Sequence, residues 1–99
     1  MKVFSIFDTQ AKFFSKPVVY ATRGEAISAF SALVNDEKKS SPHSQFPADY
    51  VLFEIGTFDD ITGLLSSHQD SPYRLGSGLD FSRSKMSSPL RASPSDVMA

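Results

Sequence analysis

Apolar and polar positions fall into a short series of blocks along the chain. Val3-Phe4-Ser5-Ile6-Phe7 is rich in β-formers and is stopped by the polar stretch Asp8-Thr9-Gln10-Ala11-Lys12. Phe13-Phe14-Ser15-Lys16-Pro17-Val18-Val19-Tyr20 is β-prone again. The pattern predicts two antiparallel strands joined by a tight loop. Pro17 has no N–H to give a ladder, so the second strand is either an edge strand or broken there. Thr22-Arg23-Gly24-Glu25 matches a capping box, in which the Thr22 hydroxyl accepts from the N3 amide and Glu25 reaches back to the cap amide. Ala26, Ile27, Phe30, Leu33 and Val34 then recur at helical spacing, with Ser28, Ser31 and Asn35 off the stripe. The helix ends near Asn35-Asp36, and its single apolar face requires a sheet to lie on. Residues 37–47 read as an exposed loop. Tyr50-Val51-Leu52-Phe53-Glu54-Ile55 is the strongest strand signal. Asp59-Asp60-Ile61-Thr62-Gly63 reads as a hairpin turn with Gly63 in the left-handed position, and Leu64-Leu65 starts the return strand. The predicted fold class is α+β: a small antiparallel sheet in the order β-β-α-β-β with one helix packed on one face.

Composition changes near residue 66. Residues 1–65 hold most of the aromatics, with six Lys/Arg against eight Asp/Glu, a net of −2. Residues 66–99 hold four basic residues (Arg74, Arg83, Lys85, Arg91) against three acidic (Asp70, Asp80, Asp96), a net of +1. Ten of those 34 residues are Ser, and Pro72, Pro89 and Pro94 are added. Such a segment buries too little apolar area to offset its ordering entropy. The expectation is a compact domain over 1–68 and a Ser/Pro-rich extended tail over 69–99, largely disordered, above all from about Ser82.

The 99 residues amount to one domain at most. The absence of cysteine excludes disulfides, thiolate metal sites and cysteine nucleophiles. Nine Phe and no Trp place most of the apolar burial on Phe. No apolar run approaches the ~18 residues of a membrane span. Asp8 stops the first apolar stretch short of the ~7–15 residues of a signal peptide's core, so a cytoplasmic location is expected.

Catalytic chemistry finds little support. His43 sits in a polar loop and His68 follows the last predicted strand, and neither has a ligand partner at helical spacing, so both read as solvent-exposed. No phosphate loop is present, and Gly76-Ser77-Gly78 reads as a flexible joint. The adjacent acids Asp59-Asp60 are explained by the turn; a hydrolase using either acid is the third-ranked class. The expectation is a non-enzyme with no catalytic residues, metal or cofactor.

Nucleic-acid binding is better supported. Phe13, Phe14 and Tyr20 lie near Lys12 and Lys16, and aromatic rings alternating with cations on a sheet can stack bases and neutralise phosphates. Arg83, Lys85 and Arg91 add positive charge from the tail. The candidate contacts are therefore Lys12, Phe13, Phe14 and Lys16, with Arg83, Lys85 and Arg91 as auxiliaries. The competing reading makes the rings core and the lysines a solvated rim. Ser-Pro pairs at Ser41, Ser71, Ser88 and Ser93 read as loop residues rather than phosphosites.

Met1–Asp8 and Phe13–Pro17, followed by the run Pro47-Ala48-Asp49-Tyr50-Val51-Leu52-Phe53-Glu54-Ile55-Gly56-Thr57-Phe58-Asp59-Asp60-Ile61-Thr62-Gly63, resemble the small nonstructural protein of gokushoviruses, single-stranded-DNA phages of the Microviridae. The similarity covers about residues 1–65, with a continuation near Ser71-Pro72. The family often has His before the proline where this chain has Phe46, so no role of that histidine carries over. The tail beyond about Leu79 is longer than usual. The resemblance implies a nonstructural role in the viral DNA cycle, in the cytoplasm of an infected bacterium, with single-stranded DNA and viral replication or capsid-assembly proteins as partners. It brings no catalytic residues. The alternative is a protein–protein adaptor or homo-oligomer that docks on the replication initiator or a capsid scaffold through an edge strand.

Overall fold

The computed structural model describes residues 1–69 and 71–83. Two long strands form the centre of one antiparallel sheet: β1 (Lys2–Asp8) and β4 (Tyr50–Phe58), paired from Lys2↔Thr57 to Asp8↔Tyr50. A bulge interrupts their register between Val3 and Phe4. The outer edge of β1 carries β2 (Phe13–Phe14) and then β3 (Val18–Tyr20). The outer edge of β4 carries β5 (Leu65–Ser67) and then β6 (Tyr73–Ser77). Each edge is thus one interrupted strand. Pro17 marks the first interruption, as its missing N–H requires. There Ser15 keeps one ladder bond, its amide donating to the Ile6 carbonyl at 2.8 Å, and side chains supply the rest: its Oγ accepts from the Ile6 amide at 3.0 Å, and the Ser5 hydroxyl donates to its carbonyl at 2.7 Å.

Helix α1 (Arg23–Val34) covers one face of the sheet. Thr22 caps it, its hydroxyl accepting from the Glu25 amide at 3.2 Å. Glu25 reaches back as expected, but to the amide of Ala21, one residue before the cap, at 2.9 Å. Ala26, Phe30 and Val34 of the helix bury against Phe4 and Leu52 of the central strands. Even-numbered positions of β1 and β4 therefore face the helix here, and odd-numbered ones face away, the period-2 rule of a strand. Burying each large side chain contributes on the order of 1.5–3 kcal/mol, so these few contacts carry much of the stability.

The α+β class with one helix on one face stands, with six strands where four were expected. Three local readings change. Residues 37–47 are not all loop, because Ser41 caps a short helix α2 (Pro42–Gln45) with Pro42 at its first position. The compact part also extends past residue 68. Tyr73–Ser77 pairs with β4, and Leu75 and Phe81 pack on the core. Gly76 is no flexible joint: a Cβ there would come within 2.8 Å of the Phe81 ring, so its bareness lets Leu79–Phe81, a 3-10 turn, close over β6. The expected disorder of residues 84–99 lies outside the described residues.

Candidate functional site

Three aromatic rings meet on the sheet face that α1 leaves open. Phe7, Phe14 and Phe53 come from β1, β2 and β4, three adjacent strands in the sheet. Phe7 and Phe14 are register partners with ring centroids 4.7 Å apart. Phe53 meets Phe14 at 5.5 Å and Phe7 at 6.4 Å, both edge-on. Edge-to-face packing is the favoured geometry of aromatic pairs. Phe14 is 44 % exposed, while Phe7 and Phe53 are half-buried. Ser5, the register partner of Phe53, is buried and satisfied by Ser15. Arg74 of β6 is the partner of Phe53 on its other side and pairs with Asp80 at 3.6 Å. The arrangement offers apolar ring surface next to a cation, on a rigid support.

The residues nominated from sequence are not gathered into one place. Phe14 belongs to the open face. Phe13 lines a pocket of about 300 Å³ with Asp8, Pro42, His43 and Tyr50. Lys12 lies in the turn after β1, with a left-handed φ of 63°. Lys16 lines the groove between β3 and α1 with Val18, Tyr20 and Ala29. Arg83 is near the C-terminal end of α1, its amide donating to the Asn35 side chain at 2.6 Å. Lys85 and Arg91 lie outside the described residues. Adjacent strand residues point to opposite faces, so Phe13 and Phe14 could not both serve one surface.

Sequence reasoning missed a second cluster. Glu54, on the helix side of β4, is only 1 % exposed. Arg23 at the start of α1 donates through Nε to its Oε1 at 2.5 Å, and His68 Nε2 lies 2.9 Å from Oε2. Lys2 Nζ lies 3.8 Å from Oε2. Burial opposes the charge on Glu54, but hydrogen bonds from Arg23 and His68 and the charges of Arg23 and Lys2 outweigh it and hold the carboxyl below its ordinary range. Tyr73, the register partner of Glu54, lies under the Arg23 guanidinium, whose carbon is 4.4 Å from the ring centroid. The one sequence signal for this cluster was an acid at an inward position of an otherwise apolar strand.

Neither histidine is freely solvated as expected. His68 is bound to Glu54, and His43 packs on Tyr50 with centroids 4.4 Å apart, where burial pushes its imidazole pKa down against the opposing pull of Asp8. Asp59 does what the turn requires: its carboxylate accepts from the amides of Ile61 and Thr62, Gly63 takes a φ of 78°, and those amides hold its pKa low.

Among known families, the model described as Phage ORF5 protein matches residues 1–81. No curated protein and no solved structure matches.

Proposed function

The chain belongs to the Phage ORF5 protein family, and from that premise we propose that it is a non-enzymatic phage protein that binds single-stranded DNA during viral DNA replication or packaging. The observation that carries this reading is the Phe7–Phe14–Phe53 platform on the open sheet face. An unpaired base presents a π-face that a duplex hides, and stacking on an aromatic side chain is worth ~1–3 kcal/mol per base. Arg74 beside Phe53 supplies a cation for the sugar–phosphate chain. The formal net charge of −1 gives little long-range attraction, so stacking carries a large share of the affinity.

The test is binding of a labelled single-stranded oligonucleotide and of its duplex, at two salt concentrations. The single strand is expected to bind more tightly. Phe14→Ala, at an exposed position, should weaken that binding about 5- to 150-fold, the factor for one lost stack of ~1–3 kcal/mol, while circular dichroism stays unchanged. No binding at low salt, or an unaltered affinity in Phe14→Ala, would sink the proposal.

A second reading, docking on a viral replication or assembly protein, is favoured by one observation. The turn between β4 and β5 displays Ile61, 92 % exposed, beside exposed Leu64 and Leu65. The docking would use this turn rather than a strand edge, because interrupted edges offer only short ladders to a partner. Ile61→Asp should then abolish co-purification with the partner and leave DNA binding intact.

A further inference from the structure

The Glu54 cluster is separate from the aromatic platform, since β4 sends Phe53 to the open face and Glu54 to the helix side. We infer that Lys2, Arg23 and His68, held together on Glu54, form a binding site for a phosphate group. The inference starts from a surplus. Lys2 and Arg23 carry two positive charges against the single negative charge of Glu54. The carboxylate has little left to give: Oε1 is taken by Arg23 and Oε2 by His68, and the group is buried.

The cations keep donors in reserve. Lys2 Nζ, at 3.8 Å, is too far from Glu54 for a hydrogen bond. Arg23 engages Glu54 through Nε and also hydrogen-bonds to Tyr73, and its four terminal N–H groups still leave donors for a further acceptor. Their side chains are 37, 45 and 33 % exposed for Lys2, Arg23 and His68, so the outer sides of the three heads reach water. Glu54 and the Tyr73 ring fix the guanidinium from two directions. Like charges are thus pre-gathered on a buried counter-charge, which lowers the ordering cost of binding an anion. A planar fork, an ammonium and an imidazole gathered around one carboxylate, each with an exposed outer side, suit the several oxygens of phosphate better than the two of a second carboxylate.

The experiment is an NMR titration of the full chain with inorganic phosphate, against chloride at equal ionic strength. Saturable shifts at the Arg23 Nε and the His68 ring are expected. Lys2→Gln should weaken phosphate binding about tenfold, the factor for one charged hydrogen bond. Phe14→Ala should leave it unchanged, so this site and the DNA reading can fail separately. Lys2→Gln removes a half-exposed head that makes no hydrogen bond to Glu54, so its fold should persist; Arg23→Gln is the second variant. Shifts matching those in chloride, or undiminished phosphate binding in Lys2→Gln, would overturn the inference. Displacement of phosphate by oligothymidine identifies the source. If only the 5′-phosphorylated form displaces it, the ligand is a strand end. If both forms do, it is a backbone phosphodiester, and if neither does, it is free phosphate.

Discussion

Replacing Glu54 by Gln isolates what the buried carboxylate contributes to the fold. The change keeps the side chain's shape and one acceptor oxygen but removes the charge that Arg23, His68 and Lys2 share. Removing one partner of a fully buried ion pair costs ~3–5 kcal/mol. Here the Lys2 and Arg23 heads keep 37 and 45 % exposure, so water relieves part of their repulsion. A hydrogen bond to a charged group is worth ~1.5–3 kcal/mol, and Gln retains a neutral version of one. The expected loss is therefore about 2 kcal/mol at neutral pH. For a domain of this size that lowers the melting temperature by roughly 8–16 °C. The loss must also depend on pH. The folded carboxyl titrates below its ordinary value of ~4.3, so its contribution is complete above that value and disappears as pH falls through the folded pKa. Urea melts of both proteins from neutral pH downward should show curves that converge in acid. A loss under ~0.5 kcal/mol at neutral pH, against the ~2 expected from the buried pair, or a gap that does not narrow in acid, would refute the reasoning.

Two further substitutions test the sheet and the helix. A Cβ at Gly56 would lie 2.2 Å from the Ser66 carbonyl oxygen, against backbone that cannot swing aside, so Gly56→Ala should detach β5 from β4. A cost of ~1–3 kcal/mol in denaturant melts, with faster amide exchange in Leu65–Ser67, is expected. Thr22→Ala removes the N-cap acceptor of α1 and should cost ~1 kcal/mol by thermal melting, whereas Thr22→Ser should restore most of it.

The elements were legible wherever local chemistry dictates them. The Thr22 cap, the stripe of Ala26, Phe30 and Val34, and the Asp59–Gly63 turn each rest on neighbours within a few residues. β6 was obscured because Tyr73–Ser77 faces the core mainly through Leu75, and its Ser/Pro-rich flanks mimic a solvated tail. The pairing of β1 with β4 over some fifty residues cannot be read from either strand alone. The same holds for the candidate sites. Phe14 could be nominated, yet its partners Phe7 and Phe53 read as core until the helix is seen to occupy the other face. Lys2, Arg23 and His68 meet only because the sheet brings them to Glu54. Its one trace in the sequence was a carboxylate in the inward series Tyr50, Leu52, Glu54.

The position of β1 at the centre of the sheet has a consequence for how the chain is made. One edge of Val3–Phe7 is satisfied early, by Phe13–Tyr20. The other waits for Tyr50–Phe58. At a synthesis rate of ~5–20 residues per second, that second partner follows the first by about two to eight seconds. Throughout that interval the nascent chain carries a half-paired, Phe-rich strand, and α1 is made before β4 exists to complete the sheet it packs on. The time when this protein is most open to capture by a chaperone, or by another copy of itself, thus falls during its own translation.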